Sequence, residues 1–149
     1  MEHNKYLEIW TAIQPAMTER LTALVDAIGS QLPQGFTISA PKALTDGDEF
    51  RVSTDIHIDG KLLLGLDFTL VDGGLHEDED GVAISLLSLG YAGTVHGGYF
   101  PENYTPQVWT TDVSELLSRI DRLPVEDLAL STVKDCLERG ARIAADQAV

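Results

Sequence analysis

Residues 50–70 contain two runs in which every second side chain is apolar or β-branched, and this pattern constrains the fold more than any other feature. Alternation with a period of two places such side chains on one face of an extended strand. The first run comprises Phe50, Val52, Thr54, Ile56 and Ile58, and the second comprises Leu62, Leu64, Leu66, Phe68 and Leu70. Because Gly60 separates the runs, we predict two antiparallel strands that share one apolar face.

The turn between these strands is predicted from the requirement that both apolar sets share a face. A two-residue turn at residues 59–60 would put the two sets on opposite faces. A three-residue turn at residues 58–60, with Gly60 in a bulge, keeps them together. We therefore predict the bulged turn. Its register has the cross-strand pairs Ile56–Leu62, Val52–Leu66, Phe50–Phe68 and, on the outer face, Arg51–Asp67.

Helical periodicity is present towards both ends of the chain. In the first helix, apolar residues recur every three or four positions, at Tyr6, Trp10, Ile13, Met17, Leu21, Leu24 and Ile28. Pro15 lies inside this pattern, so the helix either kinks there or gives way to a second helix. Later in the chain, Asp112 and Glu115 predict a capping box for one helix, and Pro124 begins another. The predicted inner stripes are Val113, Leu116, Leu117 and Ile120, and then Ala129, Val133, Cys136, Gly140 and Ala144.

The remaining segments complete the predicted fold. Residues 36–39 predict a short edge strand, residues 41–48 a polar loop, and residues 82–91 and 94–100 two further strands. We therefore predict a single α+β domain over residues 1–149. It consists of an antiparallel β-meander of four to five strands, packed on one face by an N-terminal helix and two C-terminal helices.

Several features favour a cytoplasmic protein. The amino terminus, MEHNKYLEIW, lacks the basic flank and apolar run of a signal peptide. No apolar run approaches the roughly 18 residues that a membrane helix requires. Cys136 is the only cysteine, which excludes an internal disulfide and is typical of a reducing compartment.

Charge is the most unusual property of the composition. The chain has 24 acidic and 10 basic residues, for a net charge of −14 at pH 7. Residues 62–118 contain nine acids and no lysine or arginine, whereas the flanking segments contain both signs. Such a field repels nucleic-acid phosphates and anionic membranes, and it attracts basic partners. We therefore expect no direct binding of nucleic acid or membrane. Acidity that serves only solubility is the alternative.

The segment GGLHEDEDG, residues 73–81, concentrates this charge between glycines. Aligned on Gly81, an EF-hand calcium loop would need a bidentate glutamate where Leu87 lies, and its flanking elements would be helices rather than strands. We therefore interpret the segment as an acidic tip between two strands, available for contact with a partner.

No other motif indicates a catalytic, metal or cofactor site. Asp55, His57 and Asp59 alternate along one strand, about 6.6 Å apart, which is too far for three neighbours to share a metal without ligands from elsewhere. Ser131 and Lys134 match the S-x-x-K spacing, but the partner motifs of that chemistry are absent. Glycine-rich phosphate loops and the G-x-S-x-G motif are also absent, so we assign no catalytic residue, metal or cofactor.

Residues 90–109 form the second candidate contact segment. They contain five of the ten aromatic residues of the chain, and Glu102 is their only charged residue. Aromatic side chains on loops shaped by glycine and proline are typical interface anchors. Two of the five, Tyr91 and Phe100, are expected in the core, and we predict partner contact for Tyr99, Tyr104 and Trp109.

These observations favour a non-enzymatic binding protein that occupies a basic, nucleic-acid-binding surface of a partner protein. In this profile it is similar to small acidic phage- and plasmid-type anti-defence inhibitors and to immunity proteins for nuclease toxins. The predicted contact residues are Asp72, Glu77, Asp78, Glu79, Asp80, Tyr99, Glu102, Tyr104 and Trp109. Oligomeric state does not follow from the sequence.

Two alternatives belong to other functional classes. Small acidic dimeric α+β proteins serve as chaperones for specific clients, although those chaperones place a helix between strand pairs. An enzyme could instead assemble its site from scattered residues such as Asp55, His57 and His96. A cleft that gathers these three side chains would favour the enzyme.

Overall fold

A computed structural model describes residues 2–46, 49–76, 80–90, 95–98 and 109–147. Its helices are α1 (His3–Gly29), α2 (Gly73–His76, a single turn), α3 (Val113–Asp121) and α4 (Val125–Gln147). Its strands are β1 (Phe36–Ile38), β2 (Lys42–Asp46), β3 (Glu49–Ile58), β4 (Lys61–Asp72), β5 (Val82–Gly90) and β6 (Val95–Gly98). All described strand pairs are antiparallel, in the order β1–β3–β4–β5–β6.

The α+β architecture predicted from the sequence is confirmed. Helix α1 packs against the sheet, and both C-terminal helices pack against α1. The edge strand predicted at residues 36–39 is β1. Residues 41–48, predicted as a polar loop, instead contain β2, which pairs with β3 beside β1. This edge strand has too few apolar residues for alternation to reveal it.

The predicted turn between β3 and β4 is wrong. The two apolar sets share a face as predicted except for Leu62, which pairs with His57 and is exposed. Asp59 and Gly60 both have positive φ, +50° and +80°. These values are expected for the two-residue turn at residues 59–60, which the sequence disfavoured because it would put the two apolar sets on opposite faces. The register then shifts by one residue, because Leu63 forms a bulge within β4. The observed cross-strand pairs are Ile56–Leu64, Val52–Phe68, Phe50–Leu70, Arg51–Thr69 and Ser53–Asp67.

Helix α1 supplies one side of the core. All seven residues of its predicted stripe are buried, and Ile9 and Val25 are buried with them. Pro15 lies within one continuous helix rather than between two. Its missing N–H leaves the carbonyl of Thr11 without an intrahelical partner, and both residues lie on the exposed side, where water can satisfy that carbonyl.

The C-terminal helices follow their predicted stripes closely. Asp112 caps α3 by accepting a hydrogen bond from the Ser114 N–H at 2.9 Å. In a capping box the backbone N–H of Asp112 would donate to the side chain of Glu115. It donates instead to Thr110 Oγ1, at 3.0 Å. On α4 the predicted stripe is buried as far as Gly140, and Ala144 is exposed. A Cβ on Gly140 would lie 3.0 Å from Ile58 Cδ1, so glycine allows α4 to approach the sheet closely.

Candidate functional site

One end of the sheet is defined by the cross-strand neighbours Phe50, Leu70 and Ile84. The amino terminus of α1 is fixed at this end by Tyr6. The ring of Tyr6 stacks on Phe50 with centroids 4.6 Å apart, and its hydroxyl donates a hydrogen bond to the buried carbonyl of Leu70. Glu2, which precedes α1, and Glu49, which begins β3, therefore lie at the same end.

A bridge between Val82 and Thr110 brings the start of α3 to this end as well. Each backbone N–H donates to the carbonyl of the other residue at 2.9 Å. Because the bridge is antiparallel, Asp80 and Asp112, each two residues from it, lie on the same side of it. Gly81 allows the approach: its φ is +98°, and a Cβ there would lie 2.9 Å from the Thr110 backbone.

We call this region the acidic end. Its exposed acids come from four separate segments of the chain and are Glu2, Glu49, Asp80, Asp112 and Glu115. Among the residues described there, the basic side chains are Lys5 and Arg51, and Arg51 is engaged by Glu49 at 2.9 Å. The acidic end therefore presents a surface on which negative charge is in clear excess.

The predicted contact residues fall into three groups: those that the structure describes at or near the acidic end, those outside the described residues, and Asp72, which is buried. Asp80 is exposed at the acidic end, and Trp109, next to the Thr110 bridge, is half-buried. Glu77, Asp78, Glu79, Tyr99, Glu102 and Tyr104 lie outside the described residues.

Asp72 is a correction to the predicted contact surface. Its side chain is only 2% exposed, and its Oδ1 accepts a hydrogen bond from the Gly74 N–H at 3.0 Å. Asp72 occupies a position on the helix-covered face of β4, two residues beyond Leu70, so it supports the turn that follows rather than facing a partner.

Two of the scattered residues considered for catalysis lie on strands that are not neighbours in the sheet. His57 is on β3 and His96 on β6, with β4 and β5 between them. At about 4.8 Å per strand spacing, their backbones are about 14 Å apart across the sheet. Within the described ranges, no three His, Cys, Asp or Glu residues lie close enough together to hold a metal ion.

Cys136 is buried on the inner face of α4, as the predicted stripe of that helix indicates. Burial raises the pKa of the Cys136 thiol from its ordinary 9.0 to about 12, and the nearby Asp135 carboxylate raises it further than Arg139 lowers it. A thiol that stays protonated at neutral pH is a poor nucleophile, so this side chain acts as a small apolar core residue.

Comparisons of the chain with protein-family models, curated proteins and solved structures found no match. In the part of the chain that the structure describes, no helix combines the length and apolar character needed to cross a membrane.

Proposed function

We propose that this protein is a non-enzymatic acidic binding protein that acts in the cytoplasm by occupying a basic, nucleic-acid-binding surface of a partner protein. The observation that carries the proposal is the acidic end. Four chain segments bring five exposed carboxylates to one end of the sheet, where two basic residues are described. An inhibitor of this kind belongs functionally with anti-defence and immunity proteins.

The proposed mechanism is replacement of phosphates by carboxylates. Arginine and lysine side chains of the partner, which otherwise pair with nucleic-acid phosphates, form charge-assisted hydrogen bonds with the exposed acids. The one-signed field also accelerates encounter with a basic surface. The stacking of Tyr6 on Phe50 and the Val82–Thr110 bridge fix the segments that carry the acids. Fixing them before binding reduces the entropy that is lost on binding.

The contact surface is proposed to include the tip acids and the aromatic segment. Glu77, Asp78 and Glu79 immediately precede the exposed Asp80 in the chain, and they are proposed to take part in the same contact. Trp109 is next to the bridged Thr110, and with Tyr99 and Tyr104 it is proposed to supply apolar anchors, while Glu102 is proposed to add a carboxylate to the contact.

A matched pair of charge-reversal variants tests the proposal. The first carries Glu2→Lys, Asp80→Lys and Glu115→Lys at the acidic end. The control carries Asp26→Lys, Asp55→Lys and Asp127→Lys, which are exposed elsewhere and change the net charge equally. Each is used to capture partners from the native host at low and high salt, and captured proteins are assayed for loss of nucleic-acid binding.

We expect the wild-type protein and the control to capture the same nucleic-acid-binding protein and block its binding, and the acidic-end variant to lose both properties. Capture should weaken steeply as salt rises, since screening shortens the range of the attraction. Equal loss in both variants, capture that is independent of salt, or a partner that still binds nucleic acid would contradict the proposal.

A dimeric client chaperone is the second candidate. Leu130 and Leu137 lie seven residues apart on α4 and are 60% and 44% exposed, which favours an apolar contact on this helix. Light scattering tests it: the chaperone hypothesis expects a dimer, and a monomer at micromolar concentration would contradict it.

A further inference from the structure

A cleft of about 350 Å³ opens at the end of the sheet opposite the acidic end, where α4 passes the ends of β4 and β5. The sequence of β5 explains it. On the helix-facing side, the strand begins with Val82, Ile84 and Leu86, all buried, and ends with Ser88 and Gly90. The Ser88 side chain is too small to fill the space under α4, and Gly90 has no side chain. We call this the α4 cleft.

The floor of the α4 cleft is apolar and its walls carry hydroxyl groups. Leu64, fully buried, lies at the floor. Ser88 contributes a hydroxyl from the sheet, and Ser131 and Thr132 contribute two from the helix. None of these three side chains forms a hydrogen bond with another residue that the structure describes, so all three remain available to a ligand.

The charged groups of the cleft are one paired acid and two unpaired groups of opposite sign. Asp135 is engaged by Arg139, whose Nε lies 3.2 and 3.3 Å from the two carboxylate oxygens. Lys134 and Glu138 are exposed on the same wall, one helical turn apart. Neither has a partner within 4.0 Å in the described part of the chain, and they do not pair with each other.

We propose that the α4 cleft binds a small zwitterion of the α-amino acid class. The ligand carboxylate pairs with the ammonium of Lys134, and its ammonium group pairs with the carboxylate of Glu138. Ser88, Ser131 and Thr132 hydrogen-bond a polar ligand side chain, while Leu64 contacts its carbon atoms.

The same groups argue against other ligand classes. Because Asp135 is paired with Arg139, the unpaired charges on the wall are Lys134 and Glu138. A phosphate or other simple anion would leave the Glu138 carboxylate without a partner, and a metal ion would leave the Lys134 ammonium without one. The volume lies near the lower limit of about 300 Å³ for small-molecule sites, which favours a small ligand over a folded peptide. A molecule with adjacent charges of both signs is the class that satisfies both unpaired groups.

Two-dimensional amide NMR of the full chain tests the proposal, with L-serine, L-threonine and L-glutamine as ligands. Ethanolamine and lactate, which carry only one of the two charges, are the matched comparison ligands. We expect saturable shifts confined to residues around Ser88 and Ser131, with millimolar dissociation constants for at least one amino acid. Binding of the two single-charge compounds should be at least about tenfold weaker.

Two variants identify the groups responsible. Lys134→Gln and Glu138→Gln should each weaken amino acid binding about tenfold or more, because each removes one charge-assisted contact. Glu126→Gln, exposed on the same helix outside the cleft, should leave binding unchanged. All three positions are exposed, so the spectra should remain those of a folded protein.

Absence of saturable shifts with all three amino acids would overturn the proposal. Equal binding of ethanolamine or lactate, or unchanged binding by both cleft variants, would overturn it too. The test is independent of the proposed binding function, because the α4 cleft and the acidic end lie at opposite ends of the sheet.

Discussion

The two ends of the sheet differ in how the chain builds them. The acidic end collects exposed acids from the start of α1, the start of β3, residue 80 and the start of α3, so that one sign of charge dominates. At the opposite end, α4 passes the ends of β4 and β5, and the charged groups of the α4 cleft have both signs. Clustering of like charge from distant segments favours contact with a large basic surface, whereas mixed charge in a cleft favours a small ligand.

The largest expected difference between the two ends concerns their positive-φ glycines. Gly81→Ala should lower the free energy of unfolding by about 2–4 kcal/mol, because it combines backbone strain with a Cβ 2.9 Å from the Thr110 backbone. Gly60→Ala, at φ +80° in open space, should cost only about 1 kcal/mol. Urea unfolding measures both. Equal losses would show that the Thr110 bridge is not a tight constraint.

A pH-dependent effect is expected from Cys136, on the helix that forms the α4 cleft. Because its pKa is raised to about 12 in the folded protein, the unfolded chain loses this proton first as the pH rises above 9.0. The stabilisation of the folded state that follows from this pKa difference is therefore fully present below pH 9.0. It is lost as the pH rises towards 12, by about 1 kcal/mol per pH unit.

The control for this effect is Cys136→Ala, which removes the thiol and leaves every other titrating group in place. Between about pH 9 and about pH 11, unfolding stability should fall more steeply in the wild type than in the variant. Parallel curves would contradict the raised pKa of the thiol.

The smallest expected effects come from one ion pair at each end. Asp135→Asn breaks the half-buried pair with Arg139 and should cost about 0.5–1 kcal/mol. Glu49→Gln breaks the more exposed pair with Arg51 and should cost less than about 0.5 kcal/mol. Both substitutions remove one negative charge, so the free energies of unfolding of the two variants, measured in moderate salt, can be compared directly. A larger loss for Glu49→Gln would reverse the expected order.

Much of the fold follows from local patterns in the sequence. The stripes of α1 and α4, the cap at Asp112 and the strand alternation were predicted, because each reflects periodic burial along one element. The turn between β3 and β4 was not predicted correctly. Leu62, Leu63 and Leu64 are consecutive and apolar, so alternation alone cannot show which residue forms the bulge. The bulge that keeps the two apolar sets on one face is at Leu63 instead of at Gly60.

The candidate sites were predictable only in part. The acidic character of residues 62–118 was evident from composition, but Asp72 was misplaced on the surface because its burial depends on which face the helices cover. The α4 cleft was missed. Its signal was the change from large residues to Ser88 and Gly90 along β5, but the sequence does not show that α4 passes over them.

The sequence by itself determined the charge of each segment, the periodic faces of the helices and strands, and the α+β class, since these depend on neighbours along the chain. Tertiary structure alone decided which segments meet. The stacking of Tyr6 on Phe50 and the Val82–Thr110 bridge join residues more than 25 positions apart into the acidic end, and Ser88 meets Lys134 across the α4 cleft. Such meetings depend on register and on the path of the helices, which are set by packing of the whole core rather than by any local pattern.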